Sequence, residues 1–183
     1  LDSTTGIVQI IARLPENASH DFDGAQVRND AQLEGANFAD VSDQVAITPQ
    51  IPLNLATEAT KSFDPSTVAA REGAPVSAGL SGTNTSNATV ESLAIQDPAG
   101  DPPASPDPFQ YLEFAGFGTV SAPAGATDTI YQVWVDTPAP GDWVDVPGGD
   151  FAASGIDPAT VHGARVIFTG AIPAGATGGV DLD

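Results

Sequence analysis

Cysteine is absent from this sequence of 183 residues. The chain therefore forms no disulfide, binds no metal through thiolates and has no cysteine nucleophile. Long apolar runs are also missing, since none approaches the ~20 residues that a membrane-spanning helix needs. Leu1 does not begin a charged region followed by an apolar signal core, so we expect a mature or excised segment that does not insert into a membrane.

Basic residues are scarce: Lys61 is the sole lysine, four arginines join it, and 24 acidic residues give a formal charge of -19. Such a charge repels phosphate backbones and anionic lipid surfaces, so nucleic acid and membrane surfaces are not expected partners. Most carboxylates lack a cation to pair with and must lie in solvent. The same acid excess is typical of salt-adapted organisms, so a haloarchaeal surface-layer or filament subunit that folds only in molar salt is one alternative.

Histidine is nearly as rare as lysine. His20 and His162 are the two imidazoles of the sequence, and neither lies near a serine in a nucleophile-elbow pattern. Trp134 and Trp143 lie within strand patterns, where tryptophan is more typical of a core than of an exposed carbohydrate groove. We therefore predict that the chain is not an enzyme and requires no cofactor other than, at most, Ca²⁺.

The residues that are abundant favour β-structure. Hydrophobic residues make up 41% of the chain, enough for one large β-sandwich or two small tandem ones. With 19 glycines and 16 prolines, turns interrupt the chain every few residues, which favours short strands over long helices. We predict an all-β, immunoglobulin-like sandwich with few and brief helices.

Runs of alternating or β-branched residues locate the strands. Residues 26–33 and 41–47 alternate as half-buried antiparallel strands do, and a hairpin is expected to join them through residues 35–40. Residues 74–84 and 89–97 form a second hairpin pattern. Further strands are predicted at 6–14, 130–135, 143–146 and 164–169, with 109–114 as a strand or a short helix.

Proline and glycine mark the connections between these strands. Two prolines make residues 48–55 an extended connector, and the main domain boundary is expected near it. Residues 97–108, rich in Pro and Asp, form a surface loop. Residues 117–127 and 168–177 form an internal sequence repeat, called the echo below. Each stretch leads from a predicted strand into the same Pro-Ala-Gly turn, in which glycine tolerates positive φ.

Four segments resemble the DUF11-like repeats of bacterial surface proteins, which open with Lys, Pro and Gly and continue with an Asn-rich turn and a strand that ends in Asp. The segments are Thr60-Lys-Ser-Phe-Asp-Pro-Ser-Thr-Val68, Glu72-Gly-Ala-Pro-Val76, Thr83-Asn-Thr-Ser-Asn-Ala-Thr-Val90 and Ile95-Gln-Asp-Pro98. They cover residues 57–98 in the order of the repeat. Residues 168–175 are also similar to the large variants in actinobacterial cell-wall proteins, while the aromatic middle departs from the smaller members.

The resemblance implies a β-sandwich repeated in tandem along a secreted polypeptide and used as a stalk, fibre or adhesin at the extracellular cell surface. Residues 1–56 then resemble the closing strands of one repeat, or complete the same sandwich, and 57–183 resemble the opening and middle of a repeat. Neighbouring copies are the expected partners. The alternative is a module that binds glycans or host proteins, which exposed aromatics at 109–117 or 131–143 would favour.

Two groups of acidic residues are candidates for Ca²⁺. The first group is Asp21 and Asp23, and the second is Asp97, Asp101 and Asp107 in the Pro-rich loop. Oxygen-rich loops hold Ca²⁺ and stiffen joints between modules, although neither group has the full acidic loop of an EF-hand. Solvated acidic turns are the alternative.

Lys61 lies at the start of a predicted strand, where Gram-positive surface domains form isopeptide crosslinks from Lys to Asn or Asp. Such a bond needs a neutral lysine and a buried carboxylic acid that polarises the amide. The candidate partners are Asn29, Asn84 and Asn87, and the candidate acids are Glu91 and Glu113. The alternative role for Lys61 is an exposed charge that blunts a sheet edge.

Overall fold

The computed structural model describes residues 11, 13–34, 39–68, 73–100, 102–105 and 107–183. The chain divides into two compact units, residues 1–53 and 54–183. The ten strands are β1 Val27–Leu33, β2 Val41–Ile47, β3 Thr57–Asp64, β4 Ser77–Asn84, β5 Val90–Asp97, β6 Phe117–Ser121, β7 Ala126–Val135, β8 Asp142–Asp145, β9 Val161–Ile172 and β10 Thr177–Leu182.

Helical structure is short, as the glycine and proline content predicts. The helix α1 spans Phe151–Ser154, and four 3₁₀ turns span His20–Phe22, Pro108–Gln110, Pro147–Gly149 and Pro158–Thr160. Across the described part of the chain, no helix has the length and apolar character needed to cross a membrane.

In the first unit, β1 and β2 pair in an antiparallel hairpin, with Val27 opposite Ile47 and Leu33 opposite Val41. The two predicted strands are confirmed, but the prediction that they are half-buried is wrong, because every residue of both strands is exposed. The register gathers the apolar side chains on one face, yet no described element of this unit covers that face. Of the predicted strand at 6–14, residues 6–10 and 12 lie outside the described residues.

The second unit consists of two four-stranded antiparallel sheets. Their strand orders are β3-β4-β10-β6 and β5-β9-β7-β8, so the all-β prediction is confirmed. Side chains from both sheets form one core, in which Val133, Val166 and Phe168 on one sheet meet Val180 and Leu182 on the other. The longest strand, β9, lies between β5 and β7 and alternates buried with half-buried residues over most of its length.

The pattern at 74–84 and 89–97 predicts two strands correctly, but the expected hairpin between them is wrong. β4 pairs with β3 and β10, whereas β5 pairs with β9 in the other sheet. Asn84 sets this crossing: its fully buried amide donates to the carbonyl oxygens of Ala88 and Ile172, and its Oδ1 accepts from the backbone N–H of Ser86, each at 3.0 Å. These bonds replace the ladder bonds that a hairpin would have made.

The echo between 117–127 and 168–177 is confirmed as a repeated turn. Gly125 and Gly175 have φ of 82° and 81°, and in each turn the N–H one residue later donates to the carbonyl of the turn proline. The first turn links β6 to β7 and the second links β9 to β10, so both carry the chain from one sheet to the other. Glycine is required because a residue with a Cβ is strained at this φ.

Candidate functional site

The second unit contains a groove of about 950 Å³, walled by β3, the start of β4 and the segment 108–115. Its apolar lining includes Phe63, Phe109 and Leu182. Its charged lining residues are Lys61, Asp64, Asp97, Glu113 and Asp183. Four carboxylates outnumber one ammonium, so this surface, called the β3 groove below, is acidic as well as apolar.

Lys61 connects the two sheets at the β3 groove. In the β3–β4 register Lys61 is opposite Leu80 and Phe63 is opposite the core residue Ala78, so both side chains face the inner side of their sheet. Lys61 Nζ lies 2.6 Å from Asp97 Oδ2, at the end of β5, and 4.9 Å from the centre of the Phe63 ring. The ammonium is therefore held by a carboxylate and an aromatic face together.

Asp97 is thus the carboxylate that the structure brings to Lys61, although it is not among the predicted crosslink partners, and Asn29 lies on β1 in the other unit. The two side chains meet at 2.6 Å and keep 34% and 13% of their surface in solvent, which is the geometry of a partly exposed ion pair. A crosslink from Lys61 stays a prediction.

The other residues predicted for a crosslink are dispersed. Asn87 Oδ1 accepts a hydrogen bond from the backbone N–H of Asn54 at 2.9 Å, and Asn84 is held by its own turn. Glu91 is exposed on β5, whereas Glu113 lines the β3 groove. Of this set, Glu113 shares the groove with Lys61, and the two asparagines stabilise the connection from β4 to β5.

Of the first pair of predicted calcium ligands, Asp23 supports local structure through its side chain. Asp21 lies in the 3₁₀ turn His20–Phe22 and Asp23 follows it directly. Asp23 Oδ1 accepts a hydrogen bond from the backbone N–H of Ile51 at 2.6 Å, and His20 Nδ1 lies 2.5 Å from the carbonyl oxygen of the same residue. The side chains of His20 and Asp23 fix the turn to the connector that follows β2.

The second calcium group is separated by its partners. Asp97 pairs with Lys61, Asp107 pairs with His162, and Asp101 lies outside the described residues. Among the residues that the structure describes, no group of three or more His, Asp or Glu side chains is placed to hold a metal ion. Calcium at Asp21, Asp23, Asp97, Asp101 or Asp107 stays a prediction.

A cluster around His162, at the start of β9, was missed by the sequence reasoning. Asp107 Oδ2 lies 2.6 Å from His162 Nδ1, and Asp136 Oδ2 lies 3.4 Å from Nε2. The ring of Trp134 meets the imidazole edge to face, with 6.0 Å between the ring centres. The sequence signal that could have located this cluster is Asp107 followed by Pro108, a pair typical of the start of a helical turn. Asp107 Oδ1 caps that turn by accepting a hydrogen bond from the N–H of Phe109.

The geometry of this cluster suits structural support. The two carboxylates lie at opposite nitrogens of the imidazole, so they do not converge on a point that one metal ion could occupy. Thr137 Oγ1 donates to Asp136 Oδ1 at 2.9 Å, so this hydroxyl is not aligned to give its proton to His162. The network ties the end of the Pro-rich loop to β7 and β9.

Aromatic side chains divide between the core and the surface. Trp134 and Phe114 are 7% and 2% exposed, which confirms the predicted burial of Trp134. The Arg165 guanidinium lies 4.0 Å over the ring of Trp143 and its Nε donates to Gln132 Oε1 at 2.6 Å. Tyr111, in contrast, is 81% exposed on the wall of the β3 groove.

A scan against protein-family models found no family that matches this chain. Searches of the curated proteins and of the solved structures likewise found no match. The resemblance to DUF11-like repeats therefore stays a prediction from the sequence.

Proposed function

We propose that this chain is a non-catalytic structural and adhesive module of an extracellular surface protein, in which immunoglobulin-like sandwiches in series form a stalk or fibre. The serial order of two all-β units, with a packed core in the second, is the observation that supports this most directly. A unit with its own hydrophobic core can stay folded without a ligand, so it can bear force and keep the modules on either side of it at a fixed distance.

We propose an immunoglobulin-like fold in the broad sense of two stacked antiparallel sheets with crossing connections. In support, β4 to β5, β6 to β7 and β9 to β10 each cross between the sheets. The strand order differs from that of the usual ABED sheet, because β10, the last strand of the chain, lies between β4 and β6. The likeness to DUF11-like repeats is proposed at the same level of architecture.

Surface location is tested on intact cells of the source organism. Antibodies raised against the full chain should label unpermeabilised cells as strongly as permeabilised ones. The spacer role is tested by single-molecule pulling of the full chain, which should give one main unfolding event with the contour length of residues 54–183. Labelling that requires permeabilisation would contradict the surface proposal.

A binding role is the second candidate, and the exposure of Tyr111 on the β3 groove favours it. A groove with an exposed aromatic ring and several carboxylates offers both stacking and hydrogen bonds to a glycan or a protein segment. Binding to a glycan array should weaken in Tyr111→Ala. The matched control is Phe22→Ala, an aromatic residue 64% exposed in the first unit, which should leave binding unchanged.

A further inference from the structure

Three Asn-x-Ser/Thr triplets occur in the sequence, and the structure gives their asparagines different surroundings. The triplets begin at Asn17, Asn84 and Asn87. This pattern is the acceptor for N-linked glycans, which are bulky and hydrated and therefore occupy exposed sites. Because a chain rich in Ser and Thr produces such triplets by chance, the surroundings of each asparagine decide which of them can carry a glycan.

Asn84 has no room for a glycan in the folded protein. Its side chain is fully buried, and its amide nitrogen donates to the carbonyl oxygens of both Ala88 and Ile172. Glycosylation replaces one of the two N–H groups of that nitrogen with a sugar. One of the two carbonyl oxygens would then lose its partner in the interior, and the sugar would have to enter the core.

Asn87 is held by the same connection from β4 to β5. Its backbone N–H donates to the carbonyl oxygen of Asn54 at 3.1 Å, and its Oδ1 accepts from the N–H of Asn54 at 2.9 Å. The neighbours on either side, Ser86 and Ala88, are only 5% and 4% exposed. A transferase that must reach the whole triplet would therefore have to pull this connection out of the sandwich.

Asn17 differs from both, because it lies exposed on a turn of the first unit. The turn spans residues 15–18 and is closed by a backbone hydrogen bond of 3.2 Å from the N–H of Ala18 to the carbonyl oxygen of Pro15. Glu16 and Asn17 form its exposed tip. Within the described part of the chain, no hydrogen bond holds the Asn17 side chain, so a sugar on its amide nitrogen leaves the turn intact.

We propose that Asn17 is an N-glycosylation site and that Ser19 supplies the hydroxyl group of its acceptor triplet. Ser19 is half-buried, and its Oγ accepts a hydrogen bond from the N–H of Asp21 at 3.2 Å, so the hydroxyl lies at the surface beside the turn. The inference rests on the proposed surface location, because the donor is a glycan joined through phosphate to a membrane lipid on the outer face of the membrane.

The transfer needs no oxidant or reductant. The amide nitrogen of Asn17 forms a bond to C1 of the first sugar, and the bond from C1 to the oxygen of the lipid phosphate breaks. The nitrogen gives up one proton, and the lipid phosphate leaves with the bonding electrons. Asn17 keeps one N–H and its carbonyl oxygen, so both can still bind water.

Peptide mapping of the full chain, purified from the source organism and denatured before digestion, tests the proposal. Trypsin cuts after Arg13 and Arg28, so Asn17 falls in the peptide 14–28, whereas Asn84 and Asn87 fall in the peptide 72–165. Mass spectrometry should find 14–28 heavier by whole sugar residues. An unmodified 14–28 peptide, or an N-linked sugar on 72–165, would overturn the proposal.

Variants made in the source organism test the acceptor triplet itself. Asn17→Gln and Ser19→Ala should each abolish the sugar on the peptide 14–28. The matched control is Ser19→Thr, which keeps a hydroxyl group and should retain the sugar, and Asn87→Gln should also leave it unchanged. A sugar that persists in Asn17→Gln would be attached to another residue and would overturn the proposal.

The outcome is separable from that of the surface-module proposal. Antibody labelling of intact cells reports the location of the protein and does not depend on the sugar. An unmodified 14–28 peptide from cells that the antibodies label would refute glycosylation at Asn17 and leave the surface location standing. A modified peptide from cells that label only after permeabilisation would refute the surface location alone.

Discussion

At the scale of single residues, two polar side chains have opposite environments. Asn84 is fully buried and makes three hydrogen bonds to backbone groups, so it belongs to the core. Lys61 lies at an open edge and keeps a third of its surface in water. Removing a buried hydrogen-bonded group leaves partners that water cannot reach, whereas an exposed ion pair contributes little to stability.

Asn84→Ala should lower the free energy of unfolding by about 3 kcal/mol, because it leaves two carbonyl groups and one N–H unpaired in the interior. Urea unfolding followed by tryptophan fluorescence measures the loss, since both tryptophans lie in the second unit. Asn87→Ala is the control: it removes the solvent-exposed hydrogen bond that Asn87 Oδ1 accepts from the Asn54 N–H, and it should cost less than Asn84→Ala. Equal losses would contradict the assigned role of Asn84.

The paired turns give a second prediction. Gly125→Ala and Gly175→Ala introduce the same strain at φ near 80°, which costs about 1–2 kcal/mol. A Cβ at Gly175 meets open space, but at Gly125 it would come within 1.9 Å of the carbonyl oxygen of Ala171. Gly125→Ala should therefore destabilise the protein by at least about 2 kcal/mol more in the same urea experiment. Similar losses in the two variants would mean that the turn relaxes freely.

At the scale of elements, the hairpin of β1 and β2 contrasts with the sandwich. Its large apolar residues remain 49–62% exposed, and a two-stranded hairpin without a covered face is marginal in water. The strands of the second unit cover each other's apolar faces. Local opening should therefore differ sharply between the units.

Hydrogen exchange read by mass spectrometry tests this difference. Amides of β1 and β2 should exchange far faster than those of β7 and β9, which pair along most of their length and line the core. β8, a four-residue edge strand, is an internal control that should exchange at an intermediate rate. Equal protection of β1 and β9 would show that another surface covers the hairpin in solution.

The sequence predicts strands better than it predicts their partners. Alternation located β1, β2, β4 and β5, and β-branched and aromatic residues located β7, because both signals are local properties of the sequence. It failed at Asn84, where side-chain bonds direct the chain into the opposite sheet. It also overstated the burial of β1 and β2, since alternation indicates which face is apolar but not what covers it.

The candidate site was less accessible to sequence reasoning. Lys61 was identified because it is the only lysine, but Asp97 lies 36 residues away and is joined to it by the packing of one sheet on the other. His162 and Asp107 are 55 residues apart and meet for the same reason. Contacts of this kind follow from topology, which local patterns do not contain.

At the scale of the whole molecule, charge dominates. With a formal charge of -19, carboxylates repel each other across the folded surface, and salt screens that repulsion. The melting temperature should therefore rise as NaCl increases from about 0.01 to 0.5 M, beyond which screening is nearly complete. A fold that forms only in molar salt would favour the haloarchaeal alternative.

Divalent ions give a companion measurement. If the carboxylates act as a diffuse charge, Ca²⁺ and Mg²⁺ should raise the melting temperature equally at matched ionic strength, and EDTA should have no effect on the metal-free protein. A rise specific to Ca²⁺ would support a site among the five predicted aspartates, since Ca²⁺ accepts more oxygen ligands in a more flexible geometry than Mg²⁺.

The position of Arg165 has a consequence for digestion by trypsin, which cuts after lysine and arginine. From residue 72 to the end of the sequence Arg165 is the single basic residue, and it lies within β9, the central strand, with its guanidinium stacked on Trp143 and bonded to Gln132. Cleavage there requires the strand to leave the sheet. While the second unit stays folded, its long C-terminal portion therefore offers trypsin-like enzymes no ready bond, although the sequence is free of disulfides that could hold it together.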